Sequence, residues 1–278
     1  MTIRESMLGR YTRCYDDVWS AIERGAATCN NAFWLMGAAN YIFSINGVRF
    51  AVDPMFNTPR SGETFRQVGQ RAIRLLDACA FILITHEHVD HFDPRLMESC
   101  RRAQWFVPAF LAAQLPKGMR NVTLLRGGDR FQIGAFQITA FNSLHYDAGT
   151  DIGVPELGYF IEAGDKRLLM PGDVREYDAG KLPRFDDVTH FFAHVWLGRG
   201  NALNWPCGDY PEQMARFACA FRPAHVYLTH LLEAARGEKD LWTYAHAGLV
   251  TDAVLALDPG LRVRTPLLGE TVSLEEVY

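Results

Sequence analysis

The stretch from Phe81 to Pro94 constrains this chain most. A continuous apolar run, Phe81-Ile-Leu-Ile-Thr85, passes without a break into His86-Glu87-His88-Val89-Asp90-His91. Such a run is the mark of a strand buried on both faces. Four potential ligands, His86, His88, Asp90 and His91, then follow within six residues at its carboxyl end. Burying imidazoles and a carboxylate costs on the order of several kcal/mol unless they are paired or hold a metal. Neutral imidazole and carboxylate are the usual ligands of zinc outside thiolate sites. The alternative, an exposed histidine-rich loop, fits poorly because the segment abuts a buried strand and is anchored by it. Asp93-Pro94 supplies an N-cap and a proline at the first helical position, predicting a helix to about Arg102.

Periodicity places the other elements. Tyr11, Tyr15, Val18, Trp19 and Ile22 recur at helical spacing and predict a helix over 11–25. Asn46-Gly47 between two apolar segments predicts a β-hairpin ended by Asp53-Pro54. A helix is expected within 60–77 and a short one over 108–114. A strand meander is expected over 122–141, turning at Gly127-Gly128, and two further strands at 158–162 and 167–170. An apolar run at 188–197 leads into an irregular loop over 198–211. Helices over 211–221 and 242–257 then enclose a strand at 225–229. Strands outnumber helices, but helices recur in both halves, which suggests two sheets packed together with helices outside. With no linker or repeat in view, the expectation is one domain over 1–278, residues 1–32 forming a helical extension.

Bulk properties exclude several classes. The net charge of −4 is spread without a lysine- or arginine-rich tract, so nucleic acid is disfavoured as a partner. No apolar run reaches the ~18–20 residues of a membrane span, and the charged N-terminus lacks a secretory apolar core. The six cysteines show no C-x-x-C spacing, which argues against a thiolate metal site and a disulfide framework. A cytoplasmic protein is expected, acting on a small molecule, with a homo-oligomer left open.

The segment Ile84-Thr-His-Glu-His-Val-Asp-His-Phe-Asp-Pro94 resembles the H-x-H-x-D-H signature of the metallo-β-lactamase superfamily. The later motifs of that family follow in order: His145 in Asn-Ser-Leu-His-Tyr, Asp173 in Met-Pro-Gly-Asp-Val, and His230 ending Val-Tyr-Leu-Thr-His. The resemblance covers roughly residues 33–232 and implies a four-layer αββα sandwich. It further implies that His86, His88 and His145 hold one metal, that Asp90, His91 and His230 hold a second, and that Asp173 bridges them. The cofactors expected are two divalent ions, zinc first, with manganese or iron as alternatives. Such a pair shares a water and lowers its pKa toward neutrality, and Asp90 would orient the nucleophile and carry its proton.

His-Phe-Asp-Pro, the Arg126-Gly-Gly-Asp turn and Phe33-Trp-Leu-Met-Gly look like the branch containing the L-ascorbate-6-phosphate lactonase and N-acyl-phosphatidylethanolamine phospholipase D. The function expected is metal-dependent hydrolysis of a small lactone or ester, including one of a phosphorylated metabolite. The alternatives are a phosphodiesterase acting on a nucleotide or phospholipid and, from another class, a non-catalytic metal-binding or diiron redox protein. Histidine at position 88, where the diiron branch carries Glu, favours hydrolysis. His194 is a candidate for hydrogen-bonding an oxyanion, with an ordinary core histidine as the other reading. Arg199 could hold a phosphate or carboxylate, although an exposed loop arginine is more often simply solvated.

Overall fold

Asn46 and Gly47 take φ of 51° and 76°, the left-handed conformation that both central positions of a type I′ turn require. They join β2 (Tyr41–Ile45) to β3 (Val48–Val52) as an antiparallel hairpin. The computed structural model describes residues 17–55, 64–146, 153–233 and 236–275. The chain divides into two compact units, Met1–Leu125 with Leu267–Tyr278, and Arg126–Pro266.

The first unit adds β1 (Ala32–Leu35), β4 (Phe81–Leu83), β5 (Gln104–Pro108), β6 (Val122–Leu125) and β14 (Val272–Ser273) to the hairpin. The sheet runs β14-β1-β2-β3-β4-β5-β6, antiparallel up to β3 and parallel from β3 to β6. Side chains alternate between its faces as the pleat demands. On one face Ile42, Ala51, Ile82, Trp105 and Val107 pack with helices α1 (17–28), α2 (Thr64–Asp77) and α3 (Pro94–Ser99) through Trp19, Ile22, Ala72, Leu76, Leu96 and Met97. The other face carries a cross-strand aromatic row, with Phe43–Phe50 and Phe50–Phe81 centroids 4.8 and 4.7 Å apart.

The second unit holds β7 (Arg130–Ile133), β8 (Phe136–Asn142), β9 (Leu157–Ala163), β10 (Lys166–Met170), β11 (His190–His194), β12 (His225–Thr229) and β13 (Arg262–Arg264), in the order β13-β12-β11-β10-β9-β8-β7. Strands β7 to β10 are antiparallel and β10 to β13 parallel. Helices α4 (Tyr210–Ala220) and α5 (Tyr244–Leu257) cover one face, Met214, Phe217, Val250 and Val254 packing on Leu169, Phe191, Val226 and Leu228. Each unit is therefore a mixed seven-stranded sheet with helices on one face. Among the described residues, no helix is long and apolar enough to cross a membrane.

Three expectations change. The meander expected over 122–141 is split: β6 pairs in parallel with β5 in the first sheet, whereas β7 and β8 belong to the second. Alternation reports that a segment is a strand but not which neighbour it will find, so the Gly127-Gly128 turn looked like a hairpin. The helix opened by Asp93 stops at Ser99 rather than Arg102, because Cys100 has left helical geometry with φ −111° and ψ 74°. The short helix at 108–114 is a 3₁₀ turn, Ala109–Gln114. The N-terminal helix is described from residue 17, so Tyr11 and Tyr15 lie outside the described residues.

Candidate metal centre

In the first unit, the signature loop leaves β4 already tied down. Asp53, at the end of β3, accepts from the Thr85 amide (2.7 Å) and the Thr85 hydroxyl (2.6 Å). It also accepts from His91 Nδ1 at 2.8 Å. With its proton committed to Asp53, Thr85 Oγ1 can only accept from His86 Nδ1, 2.9 Å away. Both imidazoles thus carry their proton on Nδ1 and keep the Nε2 lone pair for a ligand, the arrangement that carboxylate–histidine pairs impose at metal sites. His86 Nε2 and His88 Nδ1 converge to 2.9 Å, and His91 Nε2 lies 3.4 Å from Asp90 Oδ2. Asn40 Nδ2 donates to the carbonyls of Asp53 and Asp90, 2.7 Å each, pinning the hairpin end to the loop. His86 and His91 are fully buried, whereas Glu87 between the histidines is exposed. Asp53 adopts φ 48°, a left-handed geometry that a non-glycine residue takes only when its surroundings enforce it.

In the second unit, β10 ends in Pro171-Gly172-Asp173. Gly172 has φ 81°, and a Cβ there would fall 2.4 Å from Glu156 Oε1, so glycine is required for the close approach. That approach lets the Asp173 amide donate to Glu156 Oε1 and Oε2 at 3.0 and 3.1 Å. Glu156 Oε2 in turn lies 3.9 Å from His145 Nδ1. Asp173 Oδ1 meets His194 Nδ1 at 2.7 Å and His230 Nδ1 at 3.1 Å. Asp173, His194 and His230 offer ligand atoms within 4.8 Å of one another, all three buried. His230 leaves β12 with φ 63°, so strain sits at a candidate ligand here too. Arg175 Nη2 stands 3.4 Å and Arg236 Nη2 3.9 Å from Asp173 Oδ2.

The donors in each unit are imidazole nitrogens and carboxylate oxygens, with two imidazoles of the first unit oriented Nε2-outward by a second layer. That set fits a divalent cation. Of the residues expected from the sequence, His86, His88, Asp90 and His91 cluster after β4. His145, Asp173 and His230 lie in the second unit, where His194 joins Asp173. Asp53 went unrecognised beyond ending the hairpin, and Glu156, Glu233, Arg175 and Arg236 carried no sequence signal at all. Arg199 is exposed. His190 and His225 stack with ring centroids 5.1 Å apart, and His246 caps α5. Trp196 is buried beneath the Arg175 guanidinium, while Trp205 is 58% exposed.

The beta-lactamase superfamily domain matches residues 48–231. The chain belongs to this superfamily. A UPF0173 metal-dependent hydrolase of Koribacter versatilis is 26% identical over 204 residues, spanning 71% of this chain and 82% of that protein. The metallo hydrolase Igni18 of Ignicoccus hospitalis superimposes with a TM-score of 0.62 at 20% identity, covering 89% of this chain and 99% of that one. CmlA, a diiron β-hydroxylase of Streptomyces venezuelae, does so with a TM-score of 0.61 at 19% identity, over 88% of this chain and 54% of that one. The fold is the metallo-β-lactamase fold, and the protein is a metal-dependent hydrolase of that superfamily with His/Asp clusters able to bind metal.

Proposed function

We propose that the protein hydrolyses a small lactone or ester, including that of a phosphorylated metabolite, and stands nearest the ascorbate-6-phosphate lactonase-like branch. His86, His88 and His145 would hold one divalent ion, Asp90, His91 and His230 a second, and Asp173 would bridge them, zinc being the first candidate metal. The whole chain would act as one cytoplasmic domain, with residues 1–32 as an extension. The observation that supports this best is the Asp53 network, which spends a buried carboxylate on presenting Nε2 of two histidines. Bound metals would supply Lewis acidity and an activated water. Asp90, held through its carbonyl by Asn40, would orient that water and receive its proton. His194, held by Asp173 through Nδ1, would stand as the hydrogen-bonding partner of the developing oxyanion.

The test is elemental analysis of the purified protein beside hydrolysis assays on lactone, ester and phosphodiester panels, with His88→Ala and His194→Gln in parallel. About two metals per chain, lost together with activity in His88→Ala, supports the reading. His194→Gln should keep its metal and lose turnover by about 10²- to 10³-fold. Absence of bound metal after supplementation with zinc, manganese or iron would sink it. Iron-dependent oxygen uptake without hydrolysis would move the protein to redox chemistry.

A further inference from the structure

Arg175 is 9% exposed, yet its charge is only loosely answered. Its Nη2 stands 3.4 Å from Asp173 Oδ2, long for a charge-assisted hydrogen bond, which ordinarily closes to about 2.7–2.9 Å. Its Nε is buried and meets no hydrogen-bond acceptor among the described residues. A guanidinium has five donors in a rigid plane, and burial without partners for them is unfavourable. The side chain is nonetheless held in place. Its guanidinium lies 5.0 Å over the Trp196 ring, and the Trp196 carbonyl is itself fixed by the Tyr177 hydroxyl at 2.6 Å. Burial pushes the Tyr177 phenol well above its usual range, so it remains a neutral donor.

Positioning Asp173 does not account for this arrangement. That carboxylate already has His194 and His230 on Oδ1, and its backbone amide is fixed by Glu156. An arginine devoted to it would be expected to make a short, two-pronged pair. A second guanidinium, Arg236, also approaches Asp173 Oδ2, at 3.9 Å, while its Nε bonds Glu233. Two cations therefore flank a candidate metal ligand. Arg175 is rigidly stacked and carries an unused donor, which is the preorganised geometry suited to capturing an oxyanion.

We infer that Arg175, with Arg236 beside it, forms the subsite for an oxyanion on the substrate, a carboxylate or phosphate attached to the group being hydrolysed. The claim that this group is hydrolysed rests on the proposed function, but anion capture by the two arginines does not. Arginine also explains the choice of residue at 175, since a lysine would offer neither the planar fork nor the stacking on Trp196.

The experiment uses the full chain, metal-loaded and chelator-treated, with inorganic phosphate and acetate as probes followed by calorimetric titration. Arg175→Gln should weaken binding of whichever probe is preferred by about 10- to 100-fold, with metal content unchanged. Arg175→Lys should recover only part of it. The chelator-treated arm isolates the arginines from anion ligation to metal, and preference between the probes separates phosphate from carboxylate. With a hydrolysed panel compound, the ratio of kcat/KM for the anionic member over its neutral counterpart should fall by a similar factor, carried in KM. Loss of metal from Arg175→Gln, or an equal loss on anionic and neutral compounds, overturns the inference and makes Arg175 a support for Asp173. Wild type binding neither probe in either arm overturns it as well. Failure of wild type to bind metal strikes only at the hydrolase reading, because the chelator-treated arm still reads the subsite. Should Arg175→Gln not fold, as judged by circular dichroism, Arg236→Gln and Arg175→Lys carry the same comparison.

Discussion

Asp53 illustrates how one carboxylate can govern two imidazoles that are distant from it in sequence. An Asn there would keep an oxygen for the Thr85 amide but could not accept from Thr85 Oγ1 and His91 Nδ1 as a carboxylate does. His91 would then be free to carry its proton on Nε2, where the lone pair for a metal should be. Asp53→Asn is expected to lower metal affinity by about 10- to 100-fold with little change in secondary structure. Competition with a chromophoric chelator measures this, and an unchanged affinity would remove Asp53 from its proposed role. The ligand candidates of the first unit were legible because four of them fall within six residues after an apolar run. Asp53 reaches Thr85 and His91 across 32 and 38 residues, and no local pattern encodes such a pairing. Arg175 was invisible for a related reason, since the ring it lies over, Trp196, comes from a separate segment after β11.

Most elements could be read from period and punctuation, and where the reading failed, pairing was the cause. The Asn46-Gly47 hairpin and the Asp93 N-cap are local devices and came out as expected; Asp93 Oδ1 accepts from the Arg95 amide at 3.0 Å. Strands β6 and β7 are equally local as strands, but that β6 turns back to β5 while β7 pairs onward with β8 is a choice of partner that alternation does not encode. Helix α5 carries a device the sequence left plain. Thr243 N donates to His246 Nδ1 at 3.0 Å, and His246 Nε2 donates to the Ala202 carbonyl at 3.0 Å. This cap needs the neutral imidazole. Burial lowers the His246 pKa from its ordinary 6.5, opposed in part by the bond to Ala202. In the unfolded chain His246 therefore takes up a proton first as pH falls. The stability it confers is complete above about 6.5 and declines below it as pH drops toward the depressed folded value. Denaturant titrations of chelator-treated protein between pH 7.5 and about 5 should show a shallower decline for His246→Gln, which keeps a side-chain acceptor for Thr243 but cannot titrate. Parallel pH profiles for the two proteins would show that His246 does not contribute.

For the molecule as a whole, the two-sheet composition was legible and the division of strands between sheets was not. The sheets separate at Arg126, so β5 and β6 close one unit before β7 opens the other, and β14 returns late to the first. That late return, with Val272 pairing back to Phe33, is what ties the chain's last described segment to its first strand. The proposed ligand set takes His86, His88, Asp90 and His91 from one unit and His145, Asp173 and His230 from the other. If these residues hold metal jointly, occupancy must couple the stability of both units, because a ligand that binds only the native arrangement stabilises all of it. At metal concentrations about 100-fold above Kd, each site adds about 2.7 kcal/mol, which for a chain of this size corresponds to a rise in Tm of roughly 10 °C for a pair. Chelation should therefore lower Tm by that amount. Amide exchange should accelerate in strands of both sheets together, for example at Phe81–Leu83 and His225–Thr229. Acceleration confined to one unit would place the metal within that unit alone and break the proposed seven-residue set, while leaving the Asp53 network and the Arg175 subsite to their own tests.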